Sequence, residues 1–258
     1  MMIDLKKRMW GQLSLVLAAL AIMLPTKSHA YDMTPIVIQL SPTGAGSVQS
    51  VILTNTHDVP IAIEVRAFTR TQNPDGTEER AEEDEDLILT PPQMVIAPKA
   101  SQNFKVRWVG DPSPDAELSY RLVTTQLPID FRKERAGEVS VNVSMNYRYE
   151  AALYIVPPAS EPSVKLTGVQ PVVDAEGNTL LEVRILSDGT RRAILARPVL
   201  TLKSQGGDEV VLEGEDVGAI ANQNILVGNE RVIRLPWPEG FPVGQVTGNL
   251  ETEYTVFD

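Results

Sequence analysis

The segment from Val139 to Val156 constrains the fold of this chain more than any other. Its eighteen residues contain no glycine or proline, and most of them alternate between apolar and polar side chains. Side chains point alternately to the two faces of a β-strand, so the pattern predicts one long strand with a single apolar face. Strands usually have about five or six residues, so this one is longer than one sheet requires. The apolar face consists of Val139, Val141, Val143, Met145, Tyr147 and Tyr149.

The rest of the chain, beyond residue 30, also reads as strands. Short runs such as Ile61 to Phe68 and Phe104 to Val109 alternate in the same way and are separated by Gly, Pro, Asn and Asp. Many short strands with turns between them are typical of a β-sandwich. The proline-rich stretch Pro157 to Pro162 interrupts the pattern, which then restarts. We therefore predict an all-β protein with two sandwich domains, at residues 31–158 and 162–258.

The first thirty residues have the features of a signal peptide. Lys6, Lys7 and Arg8 precede an apolar run from Leu13 to Leu24, and Ser28-His29-Ala30 fits a cleavage site. The run is shorter than the roughly 20 residues that a membrane-spanning helix needs. We expect cleavage after Ala30, export, and no membrane insertion of the mature protein.

Composition argues against several functions. The net charge of −11 disfavours nucleic acid as a partner, since phosphate binding needs a basic surface. The chain has no cysteine, and beyond the signal peptide His57 is its only histidine, so a usual zinc site cannot form. No serine lies in a nucleophile-elbow motif, and His57 is the only histidine that could act as its base. We predict no enzymatic activity, no cofactor and no metal. The acidic stretch Glu78 to Asp86 is interpreted as a solvated, mobile loop.

Five short motifs follow one another in the first domain. They are Val51-Ile-Leu-Thr-Asn55, Thr90-Pro-Pro92 with Ile96-Ala-Pro98, Asn103-Phe-Lys-Val-Arg107, Tyr120-Arg-Leu-Val-Thr-Thr-Gln-Leu-Pro128 and Leu153-Tyr-Ile-Val-Pro157. The ordered set accompanies a signal peptide and an unusually long strand. In this combination the chain resembles the periplasmic pilus-chaperone family of the chaperone–usher pathway.

The resemblance implies two immunoglobulin-like β-sandwich domains in an L-shaped arrangement. It also implies that the long strand completes the fold of a pilin-like subunit in the periplasm, and that the subunit is then passed to an outer-membrane usher. With Pro157 placed on the family's proline, the subunit-binding positions are Val141, Val143, Met145 and Tyr147. Exposed, this strip would promote aggregation, so a free protein has to cover it by self-association or with a flexible loop.

The chain departs from the family where the subunit's terminal carboxylate should be anchored. The resemblance implies an arginine on the first strand and a lysine on the long strand, but Gln39 and Ala152 occupy those positions. Gln39 can donate hydrogen bonds without the charge that strengthens an arginine–carboxylate pair. Arg148, on the long strand and of the same parity as Ala152, is the substitute candidate. Weaker candidates are Arg66 and Arg121.

Two other functions fit parts of the sequence. A secreted structural or adhesive protein built from two sandwiches would keep the apolar face of the long strand inside its own core. A hydrolase on a β-sandwich would need two carboxylates held in a common cleft. Fold class alone does not choose among these functions.

Overall fold

The structure is a computed structural model that describes residues 31–129 and 146–257. Within these ranges the regular elements are strands, apart from two short 3₁₀ helices at Gly44–Ser47 and Gly214–Val217. No helix in the described part is long and apolar enough to cross a membrane. The prediction of an all-β fold with two β-sandwich domains is confirmed.

The smaller sheet of the first domain has four antiparallel strands. Alternation decides which side chains they bury: Val51, Leu53, Phe104 and Val106 lie inside, while the intervening Ile52 is exposed. In spatial order, with strands numbered along the chain, they are β1 (Asp32–Thr34), β3 (Val48–Thr54), β10 (Ser101–Trp108) and β8 (Leu87–Thr90).

The larger sheet of the first domain contains the strand that matters most for function. That strand, β12 (Arg148–Ile155), pairs with β11 (Leu118–Leu127) along its whole length in antiparallel register, and with β2 (Val37–Leu40) in parallel register from Ala152 to Ile155 only. In spatial order the sheet consists of β2 (Val37–Leu40), β12 (Arg148–Ile155), β11 (Leu118–Leu127), β4 (Ile61–Thr69) and β7 (Glu82–Glu83), with β9 (Gln93–Ile96) also paired to β4.

The inner faces of these two sheets enclose the first core. Ile38, Leu53, Phe104 and Leu153 have no exposed surface there. Each such side chain contributes on the order of 2 kcal/mol through loss of apolar surface to water. This core holds β12 in place beside β11.

A second core lies between the sheets of the C-terminal half. β14 (Thr179–Ser187) is central in one sheet, and β15 (Ala193–Ser204) pairs with the three other strands in the second. Side chains such as Leu181, Val183 and Leu200 are fully buried between the two sheets. The strands are β13 (Val164–Val173), β14 (Thr179–Ser187) and β18 (Glu230–Pro236) in one sheet, and β15 (Ala193–Ser204) with β16 (Glu209–Leu212), β17 (Asn224–Ile225) and β19 (Val246–Tyr254) in the other.

A hairpin of the first domain reaches across to the second. It consists of β5 (Thr71–Gln72) and β6 (Glu78–Glu79). The Gln72 backbone N–H donates to Asn229 Oδ1 at 2.7 Å, and its side chain donates to the Asn224 carbonyl at 3.0 Å. The Val232 N–H donates to the Pro74 carbonyl at 2.8 Å. These bonds hold the domains together on one side of their junction.

The loop before β15 is fixed against the interdomain connection. The N–H groups of Thr190 and Arg191 donate to the Glu161 carbonyl at 2.9 and 3.0 Å. Gly189 allows this approach, because a Cβ there would lie only 2.4 Å from the Ser163 nitrogen. Arg191 and the residue that follows it are thereby placed at the junction.

One prediction about local structure is untested in part, and another needs correction. Among the described residues the predicted long strand is regular from Arg148 to Ile155, and its predicted beginning, including Val141, Val143 and Met145, lies outside the described residues. The acidic stretch is wrongly interpreted as a loop solvated throughout, because it forms β6 and β7 and Glu78 is only 11% exposed. Arginines beside Glu78 make its burial favourable.

Candidate functional site

β12 has one edge that is only half covered. The N–H groups of Ala152 and Val156 donate to the β2 side, at 2.9 and 2.8 Å. Backbone groups alternate in direction along a strand, so those of Arg148 and Glu150 point to the same side. Among the described residues no strand pairs there, because β2 begins only at Val37, opposite Ala152. Within the described residues, the backbone groups of Arg148 and Glu150 on this side of β12 therefore have no partner strand.

Tyr147 and Tyr149 mark the point where the apolar strip meets the first core. Both are partly buried and pack against that core. The Tyr149 ring lies 4.7 Å from the Tyr31 ring in an edge-on arrangement, and the Tyr147 carbonyl accepts a 2.9 Å bond from the N–H of Gln126. Of the four predicted subunit-binding residues, Tyr147 thus contacts the protein's own interior.

Gln39 lies on β2 among groups from the second domain. Its side-chain oxygen accepts hydrogen bonds from Arg192 at 3.0 Å and from Arg191 at 3.3 Å. Its side-chain nitrogen donates to the carbonyl of Phe257 at 3.2 Å. Gln39 therefore binds Arg191 and Arg192 at the position on the first strand where the resemblance implies an arginine.

Arg192 joins the two domains through a buried ion pair. Its Nη1 lies 2.5 Å from Glu117 Oε2, and the two side chains are 3% and 0% exposed. The guanidinium carbon also lies 3.7 Å from the ring centroid of Tyr154. Burial raises the pKa of Glu117, and the charges of Arg192 and Arg191 oppose that rise. Removing Arg192 would leave a carboxylate without its main counter-ion in a dry environment.

A second ionic cluster surrounds Glu78 on the same side of the larger sheet. The carboxylate lies 2.6 Å from Arg70, 2.7 Å from Arg80 and 2.6 Å from Arg121. Burial alone would raise the pKa of Glu78, but hydrogen bonds from Arg121 and Arg80 and the charge of Arg70 outweigh it and lower the pKa to about 2. Arg121 also pairs across the ladder with Ala152.

The two predicted anchor candidates do not lie in one site. Arg148 is 54% exposed and 3.2 Å from Glu150. Gln39 is in register with Tyr154, six residues further along β12, a separation of roughly 20 Å along the strand. Arg148 therefore lies beside the open edge, and Gln39 lies at the domain junction.

Among the described residues, the ion pairs around β12 and the domain junction join six arginines to three carboxylates, although the whole chain has a net charge of −11. Such an arrangement favours an anionic group over a cationic one. The arginines are Arg70, Arg80, Arg121, Arg148, Arg191 and Arg192, and the carboxylates are Glu78, Glu117 and Glu150.

Sequence reasoning missed Arg191 and Arg192. They lie more than 150 residues from Gln39 in the chain, and nothing in the local pattern links them to it. Two adjacent arginines after the turn at Asp188-Gly-Thr190, in an acidic chain, were the available signal. In the described part no cluster of three or more His, Asp or Glu residues could hold a metal ion.

A half-open strand beside the junction of two β-sandwiches is a geometry that could pair with a strand from another protein. Comparison with family models identifies the class of protein. Residues 34–161 match the model for the pili and flagellar-assembly chaperone, PapD N-terminal domain. The chain belongs to this family of pilus-assembly chaperones, which are not enzymes. No curated protein matches the sequence significantly.

Solved structures of low sequence identity share the fold. A chaperone from the chaperone–tip adhesin complex of CFA/I fimbriae is 18% identical, with a TM-score of 0.55 over 87% of this chain and 98% of that one. The CsuC–CsuE chaperone–tip adhesion subunit complex of Acinetobacter baumannii gives 16% identity and a TM-score of 0.55 over 86% and 97%. The class 5 fimbriae chaperone CfaA gives 19% and 0.53 over 88% and 100%.

Proposed function

We propose that this protein is a periplasmic chaperone that caps pilin-like subunits by β-strand addition and delivers them to an outer-membrane usher. The observation that carries the proposal is the open edge beside Arg148 and Glu150, at the end of β12 where the apolar strip begins. Membership of the pilus-chaperone family supports a pilin-like subunit as the client.

The open edge supplies the backbone part of the binding site. A strand of the client that continues the line of β2 would meet the backbone groups of Arg148 and Glu150, which pair with no strand of the described part of the chain. In the proposal, Val141, Val143 and Met145 supply the side chains that fill the client's incomplete core, and Tyr147 marks the boundary with the chaperone's own core. Burying such side chains is worth on the order of 2 kcal/mol each before ordering costs.

The junction around Gln39 is the proposed anchor for the client's terminal carboxylate. The resemblance implies an arginine and a lysine on two strands as the anchor. Here Arg191 of the second domain and Gln39 of β2 take their place, and both donate hydrogen bonds to the carbonyl oxygen of Phe257. A guanidinium and an amide together can bind a carboxylate with charge assistance. Arg148 remains a candidate for contacts further along the client strand.

The processing of the chain follows from the same proposal. Residues 1–30 act as a signal peptide cleaved after Ala30, which delivers the mature chain to the periplasm. Residues 31–158 form the subunit-binding domain and residues 162–258 form the second domain, which contributes Arg191 to the anchor. After signal cleavage no part of the chain inserts into the membrane.

The test replaces the apolar side chains of the proposed donor strip. Val143→Asp together with Met145→Asp is co-expressed with small strand-rich proteins encoded beside the gene, and their accumulation in the periplasmic fraction is measured. We expect it to fall at least about tenfold, because a buried unpaired charge costs several kcal/mol.

The matched control places the same charges on the other face of the segment. Asn142→Asp with Ser144→Asp has the opposite parity and should leave subunit accumulation within about twofold of wild type. Equal accumulation with both double variants would contradict strand addition and favour the structural or adhesive function.

A further inference from the structure

The proposed anchor is occupied in this structure by a segment of the same chain. After β19 ends at Tyr254, Thr255 donates its N–H to the Ile194 carbonyl at 2.9 Å. Two residues later the Phe257 carbonyl oxygen accepts from Arg191 Nη2 at 2.5 Å and from Gln39 Nε2 at 3.2 Å. The segment Thr255–Phe257 thus crosses from the second domain to β2 of the first.

The contacts of this segment are polar and its side chains are largely outside. Val256 and Phe257 are 46% and 51% exposed, so apolar burial contributes little to holding them. Among the described contacts, the segment is held by the bond from Thr255 to Ile194 and by a cation and an amide that converge on the Phe257 carbonyl oxygen. A carboxylate makes stronger bonds with the same donors than a neutral carbonyl does.

Arg191 is well placed to exchange one oxygen ligand for another. Its side chain is 14% exposed, and the nearest carboxylate among the described residues, Glu117, is 3.9 Å away and engaged by Arg192 at 2.5 Å. The Phe257 carbonyl therefore lies closer to Arg191 than any carboxylate does among the described residues. Displacing the segment would free both Arg191 and Gln39 without disturbing the buried pair.

We propose that the segment Thr255–Phe257 is a built-in occupant of the carboxylate anchor, which a client's terminal carboxylate has to displace. The inference rests on the proposed function, since it assigns Arg191 and Gln39 to that anchor. Because the segment is tethered, its effective concentration at the site is about millimolar, so weak contacts suffice for occupancy. The segment keeps the basic junction from binding unrelated anions when no subunit is present.

The experiment compares the mature chain with a variant ending at Tyr254. The probe is a fluorescein-labelled peptide with the sequence of residues 252–257 and a free terminal carboxylate, and its binding is followed by fluorescence polarisation. We expect the shortened protein to bind the probe about tenfold more tightly, because the competing segment is absent. The same peptide with a terminal amide should bind about tenfold more weakly than the free acid.

A second variant releases the segment without shortening the chain. Thr255→Pro removes the N–H that bonds to Ile194, and it should shift probe binding in the same direction as the truncation. In the shortened protein, Arg191→Ala and Gln39→Ala should each weaken binding. Arg107→Ala, an exposed arginine on β10 in the other sheet, is the matched control and should have no effect.

The outcomes separate this inference from the proposed function. If truncation leaves probe affinity unchanged while Arg191→Ala lowers it, the anchor stands and occupancy by the segment is wrong. If the shortened protein does not prefer the free acid to the amide, the anchor itself is wrong. Client capping by the apolar strip is tested separately, by subunit accumulation with the Val143 and Met145 variants.

Discussion

The convergence of three arginines on Glu78 predicts a stability contribution that disappears in acid. Arg70, Arg80 and Arg121 all lie within 2.7 Å of its carboxylate, and together they hold its pKa at about 2, below the usual 4.5. Glu78→Gln keeps the size of the side chain and removes the charge. The variant therefore measures how much this ionic cluster stabilises the first domain.

The magnitude follows from the pKa difference between the folded and unfolded states. Each pKa unit corresponds to about 1.4 kcal/mol, so a fall from 4.5 to about 2 gives roughly 3 kcal/mol as an upper value. Screening by solvent at this partly open cluster reduces it to about 2 kcal/mol. Since the folded-state pKa is lowered, this contribution is complete above pH 4.5 and is lost as the pH falls towards 2.

Urea unfolding at pH 7, 5, 4 and 3 tests the prediction. Trp108, 3% exposed in the first domain, provides a fluorescence signal for that domain when Trp237 of the second domain is replaced by Phe. We expect Glu78→Gln to lower the free energy of unfolding by about 2 kcal/mol at pH 7 and by less than half of that at pH 3.

The neighbouring residue of the same hairpin offers a control. Glu79 is exposed, and Glu79→Gln should change stability by less than about 0.5 kcal/mol at pH 7. If Glu78→Gln lowers the free energy of unfolding by the same amount from pH 7 to pH 3, the reasoning is refuted, because the loss would then come from packing and not from the charge.

Two further predictions concern buried polar groups. Arg192→Ala leaves the Glu117 side chain, which is 0% exposed, without its main counter-ion, so it should lower the free energy of unfolding by about 3 kcal/mol. In calorimetry the two domains of this variant should unfold in separate transitions. Arg197→Ala, at a side chain 77% exposed, is the control. A single unfolding transition that Arg192→Ala leaves unchanged would contradict the coupling of the two domains through Arg192 and Glu117. Tyr31→Phe removes hydrogen bonds to Thr124 and should cost about 1 kcal/mol at pH 7. Burial raises the pKa of Tyr31 to about 12 despite the Thr124 bond, so wild type should lose stability as the pH rises from 10 to 12, and an equal loss in Tyr31→Phe would disprove this.

The hairpin of β5 and β6 connects the stability of the junction to the proposed function. Glu78 bonds the hairpin to the first domain, and its ladder partner Gln72 and the turn residue Pro74 bond it to the second. The pair Arg192–Glu117 joins the domains on the side of Gln39. With contacts on both sides, Arg191 is held at a fixed position relative to β2. A binding site shared between two domains requires that fixed position.

The alternation of apolar and polar residues along the chain was sufficient to predict the strands. Alternation identified the strands, because a two-residue repeat places every second side chain in the core whatever the partner strand is. The family resemblance followed from short motifs within single strands such as Asn103 to Arg107. The acidic stretch misled, because its composition is that of a solvated loop while the arginines that bury Glu78 come from three separate positions in the chain.

By itself, the sequence determined the all-β class, the apolar parity of the segment from Val139 and the absence of charge at Gln39 and Ala152, since each is a property of neighbouring residues. Only the tertiary structure decided that β2 stops short of Arg148 and that Arg191 and Arg192 come to lie beside Gln39. The physical reason is that these are contacts between distant parts of the chain, set by how two cores and the connection between them pack. Local patterns carry no information about which distant groups will meet.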